Sequence, residues 1–481
     1  MAVAGAVGFS LVVTEDGHIC SFGENKCGEL GVGDFEQHAD PCILNYVDTF
    51  CGHEVVMVDA GLKNCACVTL DGSVWTWGSL YPVPLEDPLQ RERCPRSTCR
   101  PARMCKSFHG NSPALMVACG ADFMLILTAS GSVYSFGDGM YGQLGHNSVD
   151  SHALPKCIDP AYFDGAEIGM VSAAGGHCMA LSKTDGRLWT WGENDCNETG
   201  VISPSCDPIL KPTLIPASEL DGASVVFVSC GFDFSMLVTS DGVLWSCGNN
   251  KSNECGLGNA VDDTVLFERV GGAEYFGPGG VRMISCGFSH SMIVAKNNSV
   301  WSCGSSDYGE LGQPGEKNGM PGRVDTTAFV NGVVEIASDN DVQMVSAGRN
   351  ATIVITYGGL VYEWGNYQGV SYNPHRLPEG SLGFAGNTND HARAGRWHDA
   401  NRTRMIAFAM GTHAGFANDA ATGGMTAYSV NFPQELMRDI FHRMRFAARK
   451  ESSVGVRGLL GIQPESADFE SPGKQPYDPR C

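Results

Sequence analysis

Apolar and polar residues alternate along this chain in short runs of five or six, and many runs close on glycine. A period of two predicts half-buried strands and argues against amphipathic helices over most of the length. The block SVWTWG at 73–78 shows the form: an apolar residue, an aromatic, a small polar residue, a second aromatic, then glycine. It returns as HICSFG (18–23), SVYSFG (132–137), RLWTWG (187–192), VLWSCG (243–248), SVWSCG (299–304) and LVYEWG (360–365). The closing glycines, Gly23, Gly78, Gly137, Gly192, Gly248, Gly304 and Gly365, are spaced by 55, 59, 55, 56, 56 and 61 residues. A near-constant period marks a repeat architecture and overrides domain counting from length.

One repeat, VVFVSCGFDFSMLVTSDGVLWSCG (225–248), predicts three strands: VVFVSC, SMLVT and VLWSC. Asp-Gly between the last two accepts positive φ and predicts a two-residue hairpin turn. In repeats two to seven a glycine before the hairpin (Gly61, Gly120, Gly175, Gly231, Gly287, Gly348) stands 17 residues before the closing glycine. A fourth strand is expected to begin at proline, as at Pro41, Pro155 and Pro212. After the hairpin comes a Gly-x-x-x-x-Gly-x-Leu-Gly loop: GENKCGELG (23–31), GDGMYGQLG (137–145) and GSSDYGELG (304–312). It is degraded in GENDCNETG (192–200) and missing after Gly78. Four strands per repeat, repeated about a centre, predict an all-β, seven-bladed β-propeller of four-stranded blades.

Charge changes the picture in two ways. Residues 1–390 hold 20 Lys and Arg against 44 Asp and Glu, a net charge of −24, within a chain total of −21. Such acidity disfavours direct binding to nucleic acid or to an anionic membrane. Residues 391–481 hold 12 against 9, a net of +3, and form a different kind of segment. No stretch is apolar for long enough to span a bilayer. The opening MAVAGAVGFSLVV lacks a basic start, and its SLVVTEDG aligns with SMLVTSDG (235–242), so it is taken as repeat and not as a leader. Cysteines recur at fixed repeat positions as small buried hydrophobes: Cys119, Cys230 and Cys286 before glycine, Cys247 and Cys303 in the aromatic slot. Reduced thiols and an intracellular location, cytoplasmic or nuclear, are expected.

The Cys-Gly strand end, the Trp-x-Trp-Gly hairpin and the Gly-x-Leu-Gly loop resemble the regulator-of-chromosome-condensation repeat family over residues 2–411. WD and kelch repeats have shorter periods and lack the loop. The resemblance implies a seven-bladed ring. Its last inner strand is expected at RMIAFAM (404–410), closing the ring beside the first hairpin. The organisation expected is a propeller over 1–411, a decayed eighth hairpin at 412–430, an amphipathic helix at 431–450 and a flexible tail at 451–481. That helix, NFPQELMRDIFHRMRFAARK, has a cap at Asn431, Pro433 in its first turn and a stripe of Leu436, Met437, Ile440, Phe441 and Met444. It is expected to dock on the acidic propeller. Its FPQELMRDIF also resembles the opening of an F-box, which would make the chain a ubiquitin-ligase adaptor.

Candidate chemistry is sparse. Cys94, Cys99, Cys105 and His109 have the spacing Cys-x4-Cys-x5-Cys-x3-His, compatible with structural zinc. The repeat phase instead places Cys105 and His109 on an ordinary strand and the connection after it, so no metal and no cofactor are expected. No phosphate-cradling loop, His-Glu-x-x-His or nucleophile elbow occurs, and no catalytic residue is assigned. Plant ultraviolet-B receptors, which share the propeller, place Trp and Arg just after the pre-hairpin glycine. Here the slot holds Leu62, Ala121, Gly176, Phe232, Phe288 and Arg349, with no tryptophan, which argues against light sensing. The next residues, Lys63, Asp122, His177, Asp233, Ser289 and Asn350, are all polar and are expected to line one open face for protein partners. The leading expectation is a monomeric, non-enzymatic protein-interaction platform. The resemblance also implies guanine-nucleotide exchange on a small GTPase, with residues 79–100 as the analogue of the family's assisting insertion.

Overall fold

The computed structural model describes residues 2–376, apart from 7, 15–16, 80–96, 204, 259–262, 313–318, 325–341, 357–360 and 368–369. They form seven four-stranded antiparallel sheets, each ordered along the chain from the inner to the outer strand. Blade 1 is Ala2–Gly5, Phe9–Val13, Ile19–Gly23 and His38–Leu44; blade 2 is Val55–Ala60, Asn64–Thr69, Val74–Ser79 and Ser97–Arg103. Blade 3 is Ala114–Cys119, Phe123–Thr128, Val133–Gly137 and His152–Cys157; blade 4 is Ile168–Ala174, His177–Ser182, Leu188–Gly192 and Ile209–Ile215. Blade 5 is Val225–Cys230, Phe234–Thr239, Leu244–Asn249 and Asp263–Gly271. Blade 6 is Val281–Cys286, His290–Ala295, Val300–Gly304 and Gly322–Arg323, and blade 7 is Val342–Ala347, Ala351–Thr356, Val361–Tyr367 and Val370–Arg376. The middle strands are buried along their whole length, because each sheet is covered on both faces by its neighbours.

Three expectations need correction. The place beside the first hairpin, expected for residues 404–410, is held by Ala2–Gly5, in register Ala2↔Val13 to Gly5↔Ser10. A strand next to its partner in sequence needs only a short loop to close, whereas one nearly four hundred residues away closes a very long one. Blade 1 then meets blade 7 directly: Arg349 N–H donates to Ala6 O at 3.2 Å and Gly5 N–H to Ser346 Oγ at 2.9 Å. Residues 404–410, the boundary at 411, the hairpin at 412–430, the helix at 431–450 and the tail lie outside the described residues.

Second, the outer strands do not begin at proline. Pro41, Pro155 and Pro212 fall inside His38–Leu44, His152–Cys157 and Ile209–Ile215, at the register shift facing the third strand. An outermost strand leaves alternate N–H groups unpaired, and a bulge frees one more, so proline is tolerated there. Third, the hairpin loop is longer than two residues. Gly72 N–H returns to Thr69 O, Gly72 has φ 74°, and Ser73 accepts from Thr69 N–H. A type I turn followed by a left-handed glycine is the three-residue solution, and Asp71 closes it by accepting from Ser73 N–H at 3.2 Å.

The repeat loops clamp neighbouring blades together. In the loop after blade 1, Leu30 O accepts from Ser21 Oγ of its own blade at 2.8 Å, while Glu29 O accepts from Trp77 Nε1 of blade 2 at 2.7 Å. Blade 3 repeats this toward blade 4 with Leu144 and Ser135 (2.6 Å) and with Gln143 and Trp191 (2.9 Å). Blade 6 repeats it toward blade 7 with Leu311 and Ser302 (2.8 Å) and with Glu310 and Trp364 (2.8 Å). Cys247 and Cys303 occupy the same slot and donate from sulfur to Glu198 O and Glu254 O, at 3.4 and 3.5 Å.

Candidate partner-binding face

Among the described residues, the loops after the first and third strands of the blades emerge on one face of the ring. Their main chains are tied together. Within blades 2 to 6 the residue after the closing glycine donates back: Ser79 to Lys63 O (2.7 Å), Asp138 to Asp122 O (3.0 Å), Glu193 to Gly176 O (2.9 Å), Asn249 to Asp233 O (2.9 Å) and Ser305 to Ser289 O (2.7 Å). Between blades, Ala121 N–H donates to Gly175 O, Phe232 N–H to Gly287 O and Phe288 N–H to Gly348 O, at 3.0 to 3.2 Å. With its polar backbone satisfied internally, this annulus leaves side chains as the groups free to meet a partner.

Lys63 and Asp122 are exposed on this face, and Asp233, Ser289 and Asn350 are half-buried. His177 is not among them. It is fully buried and pairs through Nε2 with Ser235 Oγ of blade 5 at 2.8 Å. The constant 17-residue spacing conceals a slip in blade 4. Its hairpin is one residue longer, with Ser182 N–H donating to Arg187 O, and Ala174, facing His177, takes the place that Gly61 and Gly120 hold opposite Asn64 and Phe123. Gly176 therefore holds the position of Lys63, and Gly175 that of Leu62. His290 of blade 6 is the structural counterpart of His177, pairing through Nε2 with Thr352 Oγ1 at 2.9 Å. Burial pushes His177 down to about 3 and His290 to about 4, so both imidazoles are neutral at pH 7 and serve as links between blades.

The annulus surrounds a central channel, a cavity of about 230 Å³ lined by the inner strands. Within it Ser172, Ser229 and Ser285 accept the N–H of Cys230, Cys286 and Ala347 in the next blade, at 2.9 to 3.0 Å. Blade 2 puts Asp59 there, accepting from Cys119 N–H at 2.7 Å; burial raises its carboxyl to about 7. At the channel mouth Phe232 and Phe288 stack with centroids 4.1 Å apart at 29°, and the Arg349 guanidinium lies 5.0 Å over Phe288. Acidic groups gather beside them. Glu193 is raised to about 7 by burial, then by the charges of Asp233 and Asp195. Sequence reasoning found the slots of Phe232 and Asp233 but not Glu193, which folds over the bare Gly176.

The cysteine motif is dispersed. Cys99 lies on the outer strand of blade 2, Cys105 Sγ meets Ser107 Oγ at 3.0 Å, and buried His109 pairs through Nδ1 with Ser112 O at 2.9 Å. Cys94 lies outside the described residues. Among the described residues no three His, Cys, Asp or Glu groups come together as a metal site, and every cysteine is a free thiol. No helix among them is long and apolar enough to cross a membrane.

A seven-bladed ring with internally tied loops and an open rim of unlike side chains has the form that supports a protein-interaction platform. The RCC1-like domain model matches residues 1–274 and the RCC1 repeat model matches residues 281–310: the chain belongs to the RCC1-like family. It is 32% identical over 256 residues to the ultraviolet-B receptor UVR8 of Arabidopsis thaliana, covering 52% of this chain and 53% of that one. It is 29% identical over 304 residues to the human E3 ubiquitin-protein ligase HERC2, covering 62% of this chain and 6% of that one. The chain thus spans about half the length of the receptor and a small part of the ligase. Among solved structures, Prp20p of Saccharomyces cerevisiae, described with its binding properties to Gsp1p and histones, superposes with a TM-score of 0.57 at 20% identity, over 82% of this chain and 85% of that one.

Proposed function

We propose that this chain is a non-enzymatic protein-interaction platform whose partner sits on the face carrying Lys63, Asp122, Asp233, Ser289 and Asn350. The observation that carries this is the division of labour in the annulus. Its backbone groups are used between blades, while the side chains differ from blade to blade and point to no shared structural task. A rigid ring of unlike side chains is specific without having to order loops on binding, which lowers the entropic cost of association. Partner recognition at this face also suits a propeller that works without covalent chemistry.

Exchange of guanine nucleotide on a small GTPase is a specialised form of the same reading. The shared fold with Prp20p, described with its binding to Gsp1p, favours testing it. An exchange factor binds the nucleotide-free state in preference to the loaded one, and that difference alone accelerates release. The experiment is affinity capture on wild-type chain and on a Lys63→Glu/Asp122→Lys/Asp233→Lys variant, with captured proteins identified by mass spectrometry. Partners lost only from the variant place binding on this face, and full retention overturns the reading. Any captured GTPase is then assayed for release of a fluorescent nucleotide.

A further inference from the structure

We infer that the central channel is a binding site for a small organic ammonium ion, held by Asp59, with its apolar body against the side chains deeper in the channel. The site is separate from the rim invoked for a protein partner. Three observations converge. The first is a girdle on the channel wall. In each blade one residue of the inner strand faces the third residue of the second strand. Blades 4 to 7 carry serine there (Ser172, Ser229, Ser285, Ser346), blades 1 and 3 carry Ala4 and Ala118, and blade 2 carries Asp59. Each serine accepts one main-chain N–H of the next blade, at 2.9 to 3.0 Å. Asp59 Oδ2 does the same for Cys119 N–H at 2.7 Å. A hydroxyl suffices for that link in four blades, and alanine dispenses with it in two. The charge of Asp59 is therefore more than the link requires.

The second observation is the lack of a counter-charge. Among the described residues lining the channel, Asp59 and Arg349 are the only charged ones, and Arg349 lies at the mouth over Phe288. Ala4 and Ala118, in the blades on either side, offer Asp59 no hydroxyl. Its donors are the main-chain N–H groups of Cys119 and Ala60, and no described residue forms an ion pair with it. A carboxylate enclosed in this way takes up either a proton or a cation. The third observation is space. The channel cavity of about 230 Å³ lies against this carboxylate. A cavity of about 150 Å³ holds a benzene, so this one has the volume for a ring with a short side arm. Two residues deeper along the inner strands the wall becomes Met57, Met116, Phe227, Met283 and Met344. Thioethers adapt to apolar and aromatic bodies. A few polar groups on an otherwise apolar concave wall are what a small-molecule site combines. The ammonium would donate to Asp59 and to serine oxygens, and the acidic excess of the propeller would draw cations toward it.

The test is isothermal titration calorimetry of the full chain with phenethylamine, its neutral analogue phenethyl alcohol and the anion phenylpropionate. Wild-type chain is expected to bind phenethylamine about tenfold or more tightly than the alcohol, and not to bind the anion. Asp59→Ser gives blade 2 the residue of blades 4 to 7 and keeps an acceptor for Cys119 N–H. It should bring the amine down to the affinity of the alcohol, as should Asp59→Asn. Asp48→Asn, which removes an exposed carboxylate away from the channel, should change nothing. A pH series adds a second readout. Burial raises the Asp59 carboxyl to about 7. The titratable groups on the strands packed against it are the thiols of Cys65, Cys67 and Cys119, which burial pushes up, so they keep their protons. The amine stays protonated near neutrality, as lysine does. Wild-type affinity for phenethylamine should therefore rise from pH 6 to pH 8, and that of Asp59→Asn should stay level. Thermal melts check folding, and the amine–alcohol comparison and the pH series in wild type keep the test valid if a variant unfolds. The inference is overturned by amine and alcohol binding alike, by full affinity in the Asp59 variants, by an equal loss in Asp48→Asn, by a flat pH series in wild type, or by no binding at all. The Lys63→Glu/Asp122→Lys/Asp233→Lys variant should bind phenethylamine as wild type does, so the channel site and the rim stand or fall separately.

Discussion

The indole N–H of Trp77 in blade 2 donates to the main-chain carbonyl of Glu29 in blade 1, at 2.7 Å. The bond explains a covariation visible along the whole chain. Where the preceding blade carries the glycine-rich loop, intact or degraded, the last aromatic slot of the hairpin holds a donor: Trp77, Trp191, Cys247, Cys303 and Trp364. Blade 2 lacks the loop, and the slot in blade 3 is Phe136; the slot in blade 1, which follows blade 7, is Phe22. A buried carbonyl left without a donor is costly, and a buried indole without an acceptor equally so, hence loop and donor occur together.

Trp77→Phe should therefore destabilise the ring by about 1–3 kcal/mol through the unsatisfied Glu29 carbonyl, which keeps only the weaker Cys65 Sγ donor at 3.3 Å. Trp75→Phe is the control. It is equally buried, but its indole nitrogen has no partner among the described residues, so its loss should be smaller. Denaturant unfolding of the two variants checks the difference, and equal costs would remove the bond from the explanation.

Gly304 has φ 114°, and an added Cβ would collide with the carbonyl of Ser289 and the Cα of His290. Gly222 also has positive φ, 79°, but faces open space. Gly222→Ala should cost about 1–2 kcal/mol, the backbone strain alone. Gly304→Ala should cost a further 1–3 kcal/mol or so from overpacking, and Gly304→Val more still. Melting temperatures that fall equally in both alanine variants would show that backbone collision plays no part at Gly304.

Stability should fall as the solution becomes more alkaline through neutrality. Burial raises Glu198 to about 8 and Glu254 to about 7, from an ordinary value of 4.5. In the unfolded chain these groups ionise near that ordinary value, while the folded chain keeps their protons to higher pH. Folding then binds protons between the two values. Its stability is full below pH 4.5, declines through the window and levels off above about 8, by about 1.4 kcal/mol per group and pH unit at most. Glu198→Gln should flatten the decline. Glutamine already serves this position in blade 3, where Gln143 Oε1 accepts from Tyr141 N–H as Glu198 Oε2 accepts from Cys196 N–H. Thermal melts from pH 5 to pH 9 check this, and an unchanged slope in the variant would rule out Glu198 as its source.

The period, the seven hairpins, the four strands per blade and the family are legible along the chain, because these follow from contacts among residues close in sequence. Alternation, Asp-Gly turns and closing glycines act within a single hairpin, and each hairpin repeats the same local solution. Features that depend on contacts between blades emerged in the folded ring. Ala2–Gly5 completes blade 1, and a one-residue insertion in the hairpin of blade 4 moved His177 from the rim to the core, while Gly175, next to the true slot at Ala174, kept a glycine 17 residues before Gly192. The pairing of Trp77 with Glu29, and the meeting of Phe232, Phe288 and Arg349 at one mouth, join residues some fifty to sixty positions or more apart. Ring closure brings such residues together, and no local pattern records which of them will touch.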